Sequence, residues 1–198
     1  MLVGSRSRVI ELIENLVRKL YPEDMVHGLD HVLRVRDIAL KIAEAIPEPV
    51  DREVLEVAVL LHDIGRVSGD KDHAKRSTEI AQIVLELASF PKDKVGKVVE
   101  AIQSHSFSEG VKPMSIEAKI LSDADKLDAL GVIGIARVFA FSGSRGRSLK
   151  ESIQHFYDKI LQLPNLLFTD IAKSIAIKRI DVVKKFLEDL EKEIELEN

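Results

Sequence analysis

The run Val54-Leu55-Glu56-Val57-Ala58-Val59-Leu60-Leu61, closed by His62-Asp63 and then Ile64-Gly65-Arg66, limits the fold more than any other stretch of the chain. Glu56 is its one polar residue. A helix that is apolar nearly all round has no face to give to water, so the pattern predicts a central, enclosed helix with Asp51 as its cap. The imidazole and carboxylate at its end then enter the interior together. Burying both is expensive unless something satisfies them, and a bound divalent metal does so in one step.

Apolar residues recur at helical spacing along most of the remaining chain. Val9, Leu12, Ile13, Leu16, Val17 and Leu20 form one stripe, ended by Tyr21-Pro22. Val32, Val35, Ile38, Ala39, Ile42 and Ala43 form another, with Asp30 as N-cap and Pro47 and Pro49 beyond its end. A polar stretch from Arg66 to Asp72 precedes helices expected near His73 to Ala88 and near Pro91 to His105, with Pro91 in a first turn. Ser115 can cap the segment carrying Asp123, Asp125 and Asp128. Gly131 to Ile135 leads into a short apolar helix, followed by a loop over Ser142 to Arg147. Ser148 and Glu151 make a capping box, and a last helix starts near Thr169 with Ile180, Val183, Leu187, Leu190 and Ile194 in its stripe. That terminal stripe serves equally as a homodimer seam or as packing within its own domain. No stretch alternates with period two, and no hairpin signal interrupts the pattern. The expected fold is all-α, a single-domain bundle over residues 1–198 with about eight or nine helices.

Composition narrows the chemistry. A chain of 198 residues can bury a full core, and without cysteine it has neither disulfides nor thiolate ligands. No signal-like N-terminus and no apolar run near the roughly 18 residues of a membrane span are present, so a cytoplasmic location away from membranes is expected. The net charge of -4, with basic residues dispersed, excludes an extended nucleic-acid surface. Any phosphorylated partner should therefore be small and met locally. A charged fraction of 31% without Trp or Cys leans towards a heat-adapted source.

The candidate site residues follow from position and type. On a helical wheel Ile116, Ile120, Ala124 and Leu127 share one side, while Asp123 sits at its edge and Asp125 and Asp128 lie near Leu121. Lys119, Ser122 and Lys126 take the side expected to face solvent, and the wheel alone favours no single aspartate. His31, at the start of the second helix, joins His62-Asp63. Two imidazoles and two carboxylates form a mixed N/O set suited to Mn, Fe, Co, Ni, Zn or Mg. Arg66 can clamp a phosphate with its forked donors, as opposed to forming a surface ion pair. Lys126 is weighed against an ordinary solvent-side lysine, and Arg145 and Arg147 can close over a polyphosphate. His27, before Gly28, is placed at the pocket rim, and His155 among Ile153, Phe156, Tyr157 and Ile160 reads as part of a core helix.

The order His31, His62-Asp63, then a carboxylate resembles the HD-domain phosphohydrolases. Within them the chain looks most like small stand-alone hydrolases carrying His73-Ala74, Ile102-Gln103-Ser104-His105-Ser106, Asp123-Ala124-Asp125-Lys126-Leu127-Asp128-Ala129-Leu130-Gly131 and the distal segment Ser152 to Leu161. The likeness runs over about residues 24 to 195. It implies a metal held by His31, His62, Asp63 and Asp125, the last because it precedes Lys126-Leu127, with Asp123 as the fallback. It implies catalytic roles for Asp63, Arg66, His105 and Asp128, Asp63 or Asp128 taking the proton of a water. His27, Arg66, His73, His105, Lys126, Arg145 and Arg147 are the substrate-side candidates. His73 and His105 stand open between second-metal ligands, phosphate or proton-transfer groups, and simple capping.

The implied reaction is hydrolysis of a nucleotide with a divalent ion, manganese first. Nucleoside triphosphate cleaved to monophosphate and pyrophosphate leads, and 5'-nucleotidase chemistry follows. A cyclic-nucleotide phosphodiesterase is a rival, although the Gly-Tyr-Pro signature of the cyclic-di-GMP branch is missing where Tyr21-Pro22 follows Leu20. A di-iron oxygenase would need His73 and His105 as iron ligands. A non-catalytic helical binding module would have no use for the intact ligand set.

Overall fold

The computed structural model describes residues 7–68, 72–106 and 110–196. Among these are nine α-helices and no strand: α1 Arg8–Leu20, α2 Leu29–Ala45, α3 Arg52–Leu61, α4 His73–Leu87, α5 Lys92–Ser104, α6 Ile116–Asp128, α7 Gly131–Ser144, α8 Leu149–Asp158 and α9 Asp170–Leu196. Short 3-10 turns cover Ile64–Ser68 and Ile160–Leu166. The chain divides into two compact units, Met1–Ala124 and Asp125–Asn198, with the division inside α6.

In the first unit α3 is the enclosed helix. Its residues from Val54 to Leu61 are fully buried except half-buried Glu56. Helices α1, α2 and α5 pack on it. Each such buried Val or Leu contributes about 1.5–3 kcal/mol over an exposed one, so α3 has the driving force to carry a polar pair inward at its end. Asp51 caps it by accepting from the N–H groups of Glu53 and Val54 at 3.2 Å. Ser115 caps α6 through the Ala118 N–H. Glu117 of α6 accepts from the Asp51 N–H at 2.7 Å, tying the start of α6 to the start of α3.

In the second unit α7, α8, α9 and the 3-10 turn Ile160–Leu166 pack on one another. Phe139, Phe156 and Phe186 meet there with ring centroids 5.8–6.0 Å apart. The capping box of Ser148 and Glu151 forms as expected.

Several expectations change. The buried face of α1 is Ile10, Ile13, Glu14 and Val17, while Leu12, Leu16 and Leu20 are exposed. The face is shifted because Glu14 turns inward to Arg18 and Arg36. The N-cap of α2 is Gly28 and not Asp30, which sits in the first turn. Any side chain at Gly28 would run into the Asp24 and Pro22 carbonyls. Pro91 caps α5 from outside. Helix α7 runs on to Ser144, into the stretch expected as loop. Ser122 and Lys126 are buried, not solvent-facing, because α6 is enclosed on the side where its polar residues lie. Of the polar stretch after Arg66, the segment to Ser68 is a 3-10 turn and residues 69–71 lie outside the described residues. The signal-like check at the N-terminus falls largely on residues 1–6, also outside them.

Candidate metal centre

Helix ends assemble the site. His62 follows the last residue of α3 and His105 the last residue of α5, where the final carbonyls lack partners along the helix. Each ring uses one: His62 Nδ1 donates to Val59 O at 2.7 Å, and His105 Nδ1 to Ile102 O at 2.6 Å. The bond fixes the tautomer and turns Nε2 inward as a lone pair, which is how metal-binding imidazoles are commonly oriented. His31 arrives from the first turn of α2, His73 is the first residue of α4, and His27 lies in the turn before α2.

Asp63 is the hub. Its Oδ2 accepts from Arg66 Nε at 2.7 Å and lies 3.1 Å from His27 Nδ1. His31 Nε2 and His62 Nε2 each stand 3.9 Å from the same oxygen and 3.4 Å from one another. On the other side, His73 Nε2 and His105 Nε2 are each 3.6 Å from Oδ1. Five of the six histidines therefore surround one carboxylate, and only His155, half-buried on α8, is elsewhere. Arg66 Nη2 also donates to His73 Nε2 at 2.9 Å, so the guanidinium spans the carboxylate and a second ring.

Asp63 is 2% exposed, and its Oδ1 has no hydrogen-bond partner. A buried carboxylate oxygen without a donor costs on the order of 1–3 kcal/mol or more. A cation supplies what is missing. The groups His27–His31–Asp63 and His62–Asp63–His105 each hold ligand atoms within 4.8 Å of one another. Nitrogen and oxygen donors at this spacing fit a first-row divalent ion. Burial pushes the Asp63 carboxyl up, but the surrounding imidazoles of His62, His105 and His27 and the Arg66 guanidinium outweigh it and hold it well below the usual range. The carboxylate is thus ready as a ligand.

Tyr21 is a residue that sequence reasoning used only as a helix end and in noting a missing motif. It is buried at the end of α1, and its hydroxyl hydrogen finds no acceptor. Burial drives its phenol well up, the Asp63 charge adds to this, and the Asp63 main-chain N–H and Arg66 offset part. Its sequence signal was spacing: Tyr21 continues the line Ile13, Val17 at intervals of four.

In the second unit, Asp125 is half-buried on α6. Lys126 is buried with its ammonium 5.9 Å from the Phe168 ring centre. Asp128 is buried and accepts from Arg137 Nη1 at 3.0 Å, a pairing the sequence signalled only by an arginine inside the apolar run of α7. Arg145 and Arg147 are exposed and both stack on Phe141, 5.4 and 5.0 Å from its centre. Asp123, the fallback ligand, is fully buried in the first unit.

The HD domain family model matches residues 28–130, from the cap of α2 to just past α6. The chain belongs to the HD-domain family. It is 35% identical over 183 residues to the YpgQ protein of Bacillus subtilis strain 168, covering 88% of each chain. The crystal structure of Bacillus subtilis YpgQ in complex with ADP superposes with a TM-score of 0.77 at 30% identity, covering 93% of this chain and 97% of that one. An HD-superfamily hydrolase from Bacillus thuringiensis gives a TM-score of 0.72 at 32% identity, over 94% and 96% of the two chains. Among the described residues no single helix is long and apolar enough to cross a membrane.

Proposed function

We propose that this chain is a metal-dependent phosphohydrolase of small nucleotides, cleaving nucleoside triphosphates to monophosphate and pyrophosphate. The observation that carries the reading is the unsatisfied Asp63 Oδ1 among inward-facing imidazoles, a site prepared for a cation. The ADP held by the related YpgQ supports a nucleotide as the phosphorylated partner.

His31, His62 and Asp63 hold the ion, with Asp125, further along α6 and ahead of Lys126-Leu127, as fourth ligand. Manganese is the first candidate, ahead of Mg, Co, Ni, Fe and Zn. When bound, the ion lowers the pKa of a water and polarises a phosphoryl oxygen. Arg66 brings a guanidinium beside the ligand carboxylate, where it can meet the charge that grows on phosphoryl oxygens. His105 and His73 present their Nε2 atoms to the same side of Asp63 and contact the substrate or pass a proton. Asp63 or Asp128 takes the water proton. His27, Lys126, Arg145 and Arg147 complete the substrate-side set.

The deciding experiment is an assay of the metal-reconstituted protein against nucleoside mono-, di- and triphosphates, cyclic nucleotides and p-nitrophenyl esters, with products identified and bound metal counted. Pyrophosphate and monophosphate from a triphosphate are expected. Two bound irons with oxygen consumption would assign the oxygenase reading instead, and no bound metal the binding module.

A further inference from the structure

Tyr21 follows the last residue of α1, its main-chain N–H donating to Val17 O at 2.9 Å. Pro22 turns the chain away, and the phenol is left where α1 packs on α3 and on the 3-10 turn Ile64–Ser68, with 6% of the residue exposed. A phenylalanine would fill this space as well, so packing does not account for the oxygen. That oxygen is shut off from solvent, and although the Asp63 main-chain N–H acts on it, its own hydrogen has no acceptor. Buried hydroxyls without partners are rare, and where they occur an ordered water is the usual answer. Asp63 Oδ1 has the complementary defect, a buried acceptor without a donor. The two groups are neighbours, since the Asp63 main-chain N–H and the Asp63 charge both act on the phenol, yet the phenol hydrogen and the carboxylate oxygen Oδ1 do not meet.

We infer that Tyr21 is a positioning residue for Asp63: a buried water accepts the Tyr21 O–H and donates to Asp63 Oδ1, holding the carboxylate in the orientation a metal needs. A carboxylate oxygen has two lone-pair directions, so the water and an ion can share Oδ1. Such partners behind a ligand commonly change metal affinity by about 10–100-fold when removed.

The inference rests on Asp63 being a metal ligand, so one arm of its test is independent of metal. A crystal structure of the metal-free protein is expected to show a water within hydrogen-bond distance of Tyr21 Oη and Asp63 Oδ1, absent in Tyr21→Phe. Calorimetric titration with Mn2+ is expected to show at least about tenfold weaker binding by Tyr21→Phe. The unfolding temperature of the metal-free variant should be unchanged or higher, because an unsatisfied group has gone. No water touching both atoms overturns the inference. So does a variant that binds Mn2+ like the wild type, or one that loses stability without metal. A wild-type protein that binds no Mn2+ overturns the proposed function, and the water alone then decides this inference.

Discussion

Asp63 and Arg66 lie three positions apart and are joined by the shortest of the contacts to the hub carboxylate, 2.7 Å from Arg66 Nε to Oδ2. That arrangement gives the guanidinium a duty before any substrate arrives. If it then acts on the transition state, Arg66→Ala should lower turnover by about 10²-fold or more, and Arg66→Lys should restore little, because a point-charge ammonium does not reproduce the planar forked donors of the guanidinium. Steady-state kinetics check this: a rise in KM with kcat intact would restrict Arg66 to ground-state binding. The ligands separate in a different way. His62→Ala and Asp63→Ala should lose stoichiometric Mn2+ by elemental analysis while keeping helical circular dichroism. Asp125→Ala should lose the metal, and Asp128→Ala should keep it and lose turnover. Retention of metal by Asp125→Ala together with its loss in Asp123→Ala would move the fourth ligand two residues back.

Among the helices, what could be read in advance depended on whether a neighbour interfered. The α3 run announced its own burial because no other residue could alter a helix that is apolar all round. Caps at Asp51, Ser115 and Ser148 were equally readable, since a cap is a bond within three residues. The face of α1 was not, because Glu14 is drawn inward by Arg36, a residue 22 positions away. Lys126 misled for the same kind of reason: its burial depends on what covers α6, and a wheel shows only α6. The meeting of His73 and His105 with Asp63 belongs here too, since only the packing of α4 against α5 and against the turn Ile64–Ser68 places them. Gly65 is where that packing is tightest. A Cβ there would come within 2.4 Å of His73 O and 2.6 Å of Ser77 N. Gly65→Ala should therefore push α4 away and carry His73 from the hub. The expected outcome is a destabilisation on the order of 1–3 kcal/mol by denaturant unfolding, with weakened Mn2+ binding in whatever folds. Wild-type stability and affinity would show that α4 can slide without disturbing the site.

For the chain taken together, the all-helical class was visible in spacing alone, and the ligand types were visible in order and resemblance. The Tyr21 hydroxyl and the Arg137–Asp128 pair were not, because each is defined by a partner far along the sequence or by the lack of one. Folding and metal binding should be linked. An ion that binds the folded chain alone adds about 2.7 kcal/mol at a free concentration 100 times its Kd, or about 5–10 °C in Tm for a protein of this size. Differential scanning calorimetry with Mn2+ and then EDTA checks this, with the increase expected to appear and then reverse. No shift with any divalent ion of the first-row series would count against a metal centre.

The ring nitrogens anchored to Val59 and Ile102 leave their opposite lone pairs turned into one pocket. A pocket so rich in imidazole ranks ions by intrinsic affinity and not by physiological need, and in that ranking nickel and copper stand above manganese. Nickel shed from an affinity resin is therefore expected to compete for the site during purification. The specific activity of a fresh recombinant preparation will then report the history of the column until the ion has been stripped and replaced.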